Sequence, residues 1–224
     1  MSVILRAEGI SKSYVHYHNV IKTTNFEIKK GEIYVIEGKS GSGKSTFLSI
    51  LGGIEEPTRG KVYFKNRSFY DLSDEEQSQI RGNSYGFVFQ SYHLFPELTV
   101  RENIELPTIF NKNLTNKIDS FTLAKKLQIN HLLEKKTYLL SGGEQQRVAI
   151  ARALITAPEI VFADEPTGNL DHETTRVIVD YLTELTSTHG IALVIVTHEK
   201  NLIQKPHHLF RIVNGHVKKE STYV

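Results

Sequence analysis

The sequence predicts an α/β fold with a mostly parallel core sheet, and three observations point to it. Short runs of apolar residues alternate along the chain with amphipathic stretches, as strands alternate with helices in such folds. Three of the runs, Ile33–Ile36, Ile160–Ala163 and Leu193–Val196, are near-continuously apolar, as parallel strands covered on both faces are. Each run is followed by small, polar or charged residues, and open α/β sheets place their ligands at the carboxyl ends of such strands.

The elements follow in chain order. The first 30 residues, and again Lys61–Tyr70, alternate weakly between apolar and polar side chains, which predicts an antiparallel β flank. Ile33–Ile36 is the first core strand, and Ser45–Leu51 reads as a helix after it. From about Ser91 to Leu139 the chain lacks β-rich runs, is rich in Lys, Asn and Leu, and contains helical stretches such as Asp119–Gln128. This stretch reads as a helical insertion, which the helix opening at Ser141 extends to about residue 155. Ile160–Ala163 resumes the core. Val177, Ile178, Tyr181, Leu182 and Leu185 then fall at helical spacing and make Glu173–Ser187 an amphipathic helix. Leu193–Val196 is another core strand, and Leu209–Val213 pairs with His216–Lys218 near the end. With no tandem repeat or low-complexity linker, residues 1–224 read as one domain carrying the insertion.

Composition excludes several classes of function. The 27 Lys and Arg against 25 Asp and Glu leave a formal charge of +2, which is no electrostatic footprint for nucleic acid. Cys is absent, so disulfides and thiolate metal sites are excluded and a reducing compartment is suited. The start, MSVILRAEG, holds only Val3-Ile4-Leu5 before Arg6, too little for a secretory signal. The longest apolar run, Ile191–Val196, is six residues, against the ~20 that span a bilayer. The expectation is a soluble, cytoplasmic chain that meets a membrane only through a partner.

Gly38-Lys39-Ser40-Gly41-Ser42-Gly43-Lys44-Ser45 fits the phosphate-binding pattern G-x-x-x-x-G-K-[ST] between an apolar run and a helical segment, the context that the motif requires. Its glycines let the backbone wrap an anion, while successive N–H groups and the helix N-terminus donate to it. Lys44 would reach the β- and γ-phosphates, and the Ser45 hydroxyl would bind Mg2+. Asp164 and Glu165 follow the run 160–163. An Asp at such a strand end holds Mg2+ in nucleotide hydrolases with this loop, and an adjacent carboxylate can act as general base on the attacking water. Leu140-Ser141-Gly142-Gly143-Glu144-Gln145 contains a capping box, Ser141 with Glu144. Two glycines in a first turn are poor helix formers, yet they leave bare N–H groups facing an anion. A second phosphate cradle in one chain points to a nucleotide shared between two subunits.

On these residues the chain resembles the nucleotide-binding subunits of ABC transporters over essentially its whole length. Phe89-Gln90, about 45 residues past Lys44, resembles the family's Q-loop, and Gly168-Asn169-Leu170-Asp171 its D-loop. His198 resembles the switch histidine, and Tyr14 sits where the family stacks an aromatic ring on adenine. The resemblance implies a P-loop NTPase fold and a Mg2+-dependent ATPase. It also implies a head-to-tail homodimer in the ATP-bound state, with each ATP between the P-loop of one protomer and the LSGGEQ helix of the other. Carried over, Gly38 to Gly43, Lys44, Ser45 and Thr46 bind phosphates, while Ser45, Gln90 and Asp164 serve the metal. Glu165 is the general base, with Gln90 at the attacking water and His198 at the γ-phosphate. Ser141, Gly142 and Gly143 clasp the partner's nucleotide, and Asp171 works across the interface.

The stretches SGSGKST (40–46), LGGIEEPTRG (51–60), YGFVFQSYHLFPELTVRENIELP (85–107), LSGGEQQRVAIARAL (140–154) and ADEPTGNLD (163–171) resemble a narrower branch. Its members serve lipoprotein release, macrolide export and bacitracin resistance. That resemblance implies a membrane permease with a large extracytoplasmic domain, no nucleic-acid partner, and a position on the inner face of the cell membrane. Export or transmembrane signalling by conformational change is implied; the alternative is an ATP-dependent scaffold of a cell-envelope complex. Three features depart from the branch. Glu37 puts a carboxylate directly before the P-loop, with Lys39 the cation placed to offset it. Lys135–Leu139 lacks a frequent proline, and the insertion is slightly short.

Overall fold

A computed structural model describes residues 2–14, 17–110, 117–168 and 170–223. The alternating N-terminal residues form two long strands, β1 (Val3–Tyr14) and β2 (Tyr17–Lys29), before the apolar strand β3 (Ile33–Glu37) and helix α1 (Lys44–Leu51). β4 (Arg59–Phe64), β5 (Arg67–Ser68), α2 (Asp74–Ser84) and β6 (Tyr85–Val88) follow. The helical stretch holds α3 (Val100–Ile109), α4 (Ser120–Lys126) and α5 (Gly142–Leu154). The chain then runs through β7 (Ile160–Asp164), α6 (His172–His189), β8 (Ala192–Thr197), β9 (His207–Val213) and β10 (His216–Tyr223).

The strands make two sheets. The expected flank is a four-stranded antiparallel sheet ordered β2-β1-β4-β5, and the core sheet is ordered β10-β9-β3-β8-β7-β6. Its pairs are parallel except β10 with β9. Successive strand side chains point to opposite faces, so each apolar run feeds two cores. Ile33, Val35, Val161, Ala163, Leu193 and Ile195 pack with α3 to α6. Tyr34, Ile36, Ile160, Phe162, Val194 and Val196 pack with α1 and the antiparallel sheet, around Phe26, Phe47 and Phe64. All six residues of β8 are buried. This two-sided burial, worth roughly 1.5–3 kcal/mol for each large apolar side chain, explains why β3, β7 and β8 read as continuous runs.

Helix ends are fixed by local chemistry. Ser73 with Glu76, Thr99 with Glu102, and Ser141 with Glu144 form capping boxes at α2, α3 and α5. Asp119 and Asp171 cap α4 and α6. The buried Asn103 fastens the loop before α3, with its amide donating to the carbonyls of Phe95, Leu98 and Thr99 and its Oδ1 accepting from the Phe95 N–H. The described residues contain no helix long and apolar enough to cross a membrane.

Candidate nucleotide site

The phosphate loop runs from the end of β3 into α1. Gly43 precedes the helix at φ +98°, and a Cβ there would lie 2.8 Å from Ile21 Cδ1 and 2.9 Å from the Val20 carbonyl. Only glycine fits that turn. No side chain caps α1, so its first N–H groups are open to an anion. The buried Ser42 hydroxyl has no protein partner among the described residues, a polar atom left for a ligand. Lys44 is buried, and its ammonium donates to the carbonyls of Gly38 at 3.0 Å and Lys39 at 3.3 Å. That folds it back over the loop.

Facing the loop, Glu165 follows β7 in a left-handed conformation, φ +47°, which costs a non-glycine residue about 1–2 kcal/mol. Three groups hold its carboxylate. Gln90 Nε2 donates to Oε2 at 3.1 Å, His198 Nδ1 lies 3.1 Å from Oε1, and Lys44 Nζ lies 3.9 Å from the same oxygen. The Gln90 Oε1 takes no part in that bond. Beside it, Asp164 is pushed above its ordinary value by burial; the Ser45 hydrogen bond opposes the shift, Glu165 adds to it, and Lys44 opposes it. Ser45, Gln90 and Asp164 thus offer hydroxyl, amide and carboxylate oxygens at one place, a donor set for a hard cation shared with phosphates. No group of three or more His, Asp or Glu among the described residues makes a metal cage. The cleft, about 540 Å3, is lined by Val20, Ser40, Gly41, Gly43, Lys44, Ser45, Thr46, Gln90, Glu165 and His198.

Tyr14 stands at the rim, half-exposed. Its hydroxyl donates to Glu55 at 2.5 Å, and Lys12 sits over its ring at 5.2 Å while bridging to Glu55 at 3.0 Å. Burial, then the hydrogen bond to Glu55, raises the phenol above its ordinary value. Ser141, Gly142, Gly143 and Asp171 do not line this cleft. Ser141 accepts from the Glu144 N–H at 3.3 Å and donates to its carboxylate at 2.8 Å. The two glycines admit close neighbours: a Cβ on Gly142 would lie 3.1 Å from the Tyr92 hydroxyl, and one on Gly143 3.2 Å from Leu170 Cδ2. Asp171 accepts the Thr174 N–H at 2.8 Å. Asn169 lies outside the described residues.

The structure corrects the expected partner of Glu37. The offsetting cation is Arg211, which is paired with Glu37 in the β3–β9 register and has its guanidinium 3.3 Å from Glu37 Oε2 and 3.3 Å from Glu220. Lys39 makes no ion pair with Glu37 among the described residues. Lys12 and Val20 are further residues at or beside the site that no motif marks, and Glu55 lies in the stretch 51–60 without a site role assigned to it.

Comparison with known proteins agrees with this fold. Residues 21–168 match the ABC transporter family model. The chain is 42% identical over 226 residues to the lipoprotein-releasing system ATP-binding protein LolD of Aquifex aeolicus, covering all of both chains. It is 40% identical over 223 residues to the protein of the same name from Francisella tularensis, covering 96% of each. A dimeric bacterial ABC transporter cassette superposes with a TM-score of 0.89 at 38% identity, covering 97% of this chain and 98% of that one. A dimeric cassette in a post-hydrolysis state with ADP and phosphate gives 0.89 at 37% identity, with the same coverage. With its phosphate loop, paired strand-end acids and signature helix placed as described, this chain belongs to the ABC transporter family.

Proposed function

We propose that the chain is the ATP-hydrolysing subunit of a membrane transporter of the lipoprotein-releasing type. One observation carries the reading: Glu165 is held over the phosphate loop by Gln90 and His198, with Lys44 beside it. The loop N–H groups and Lys44 bind the triphosphate. Adenine stacks on Tyr14, whose ring Lys12 and Glu55 hold. Ser45, Gln90 and Asp164 would hold Mg2+, which would supply neutralisation of the charge on the terminal phosphates. Glu165 takes the proton of the attacking water as general base, with Gln90 orienting that water and His198 contacting the γ-phosphate.

Ser141, Gly142 and Gly143 lie outside the chain's own cleft, which supports a head-to-tail homodimer in which they close on the nucleotide of the other copy. Asp171 then works at the subunit interface. Residues from about 91 to 155 act as a helical arm of the single domain 1–224. The whole-length identity to lipoprotein-releasing ATP-binding proteins supports a permease partner with an extracytoplasmic domain, a cytoplasmic location on the membrane's inner face, and no nucleic-acid partner. Glu165→Gln tests the central assignment. It should lower kcat by about 10^3-fold and leave an ATP-bound dimer visible by size exclusion. Wild-type turnover in that variant would sink the role of Glu165.

A further inference from the structure

Two residues beyond Gln90 the chain makes a turn that local preference does not explain. Tyr92 and His93 are consecutive non-glycine residues at φ +58° and +50°, where each L side chain costs about 1–2 kcal/mol. What holds them is Arg152, in the last turn of α5. Its guanidinium donates from one nitrogen to the Tyr92 carbonyl at 2.6 Å and from the other to the His93 carbonyl at 2.5 Å. The turn is closed further by the Tyr92 N–H on the Phe89 carbonyl at 3.1 Å and by the His93 ring, 4.9 Å from that of Phe89.

Arg152 is partly buried and forms no ion pair among the described residues, and burial alone draws its guanidinium below its ordinary value. Desolvating a cation to hold two carbonyls is an expensive way to stabilise a loop. The rigid fork of a guanidinium does make a stiff link. Tyr92 extends the link along the helix, because its hydroxyl lies beside Gly142 in the first turn of α5. The turn is thus fastened to the last turn of α5 and lies against its first, while Gln90, two residues before it, holds Glu165.

We propose that Arg152 is a positioning residue for Gln90: it clamps the Tyr92–His93 turn so that α5, whose N-terminus would read one nucleotide, sets the Gln90 amide at the other. The inference rests on the role given to Gln90 above. Steady-state ATPase of the full chain tests it in four forms: wild type, Arg152→Lys, Gln90→Ala and the double variant. Arg152→Lys should lower kcat about tenfold and leave KM for ATP within about twofold. In the Gln90→Ala background it should cost less than about twofold, because effects on one route do not add. A full tenfold loss in the double variant overturns the clamp and spares the role of Gln90. Undiminished kcat in Gln90→Ala overturns both. His93→Gly gives an arm that does not depend on tolerance of the lysine in the wild-type background. Glycine adopts this turn without strain, so there Arg152→Lys should cost less than about threefold; an undiminished loss, or a chain that still fails to fold, counts against the clamp.

Discussion

Burial pushes the Asp164 carboxyl up, and Glu165 adds to the shift, so the folded chain holds that proton more tightly than the unfolded chain. Between the ordinary carboxylate value and the raised one the folded state binds more protons. Stability therefore falls as pH rises through that window, and the deficit is complete above it. Asp164→Asn should raise the melting temperature of the nucleotide-free protein by about 2–4 °C at neutral pH. The gain should vanish below about pH 3, where the acid is protonated in both states. The same substitution should lower Mg2+-dependent turnover by about 10^2-fold or more. A lower melting temperature at neutral pH would contradict the account of Asp164 as a desolvated group kept for a ligand. At this scale the sequence was readable where a motif names its own residues, as from Gly38 to Thr46. It was unreadable where a partner arrives from elsewhere: Arg211 reaches Glu37 only because β9 lies beside β3, and nothing near Glu37 announces it.

Among the elements, legibility follows burial. The continuous runs at β3, β7 and β8 announce themselves because both faces are covered. Helix α2 buries none of its residues, so it has no apolar stripe to find; its signal is the Ser73–Glu76 capping box just before it. β6 is four residues long and merges by composition into the segment after it. The capping boxes also allow a matched experiment. Ser73→Ala and Ser141→Ala each remove the same local device, so each should cost about 1 kcal/mol by urea unfolding. Ser73 stands at a helix away from the nucleotide cleft, and its variant should keep wild-type ATPase. Ser141→Ala should lose at least about tenfold in kcat beyond its stability cost. Equal ATPase activity in the two variants would reduce Ser141 to a structural cap.

The core sheet shows how residues from 38 to 198 reach one place. β3, β8, β7 and β6 are consecutive neighbours, and from their carboxyl ends come the phosphate loop, His198, Asp164 with Glu165, and Gln90. Chain order does not disclose that adjacency, since β8 inserts between β3 and β7. Parallel pairing could be foreseen from composition; strand order is settled by which helices cover which face. The cleft assembled by one copy leaves the exposed N-terminal end of α5, Ser141 and Gly142, outside it, so nucleotide should bring two copies together. In Glu165→Gln with Mg2+ and ATP, the melting temperature should rise with both nucleotide and protein concentration. Nucleotide at 100 times its Kd adds about 2.7 kcal/mol for one site, before any gain from association. Stabilisation independent of protein concentration would mean that each copy binds alone.

The capping box at α5 gives this association a particular character. Glu144 already occupies the donors of Ser141, from its main-chain N–H at 2.7 Å and from its hydroxyl at 2.8 Å. An arriving phosphate therefore competes with an internal carboxylate and does not enter an open seat. Closure becomes a substitution of one acceptor for another, with only the difference between them retained. When the visitor leaves, its rival returns without any search. A grip formed by exchange can be firm enough to align two subunits and still let go at every cycle.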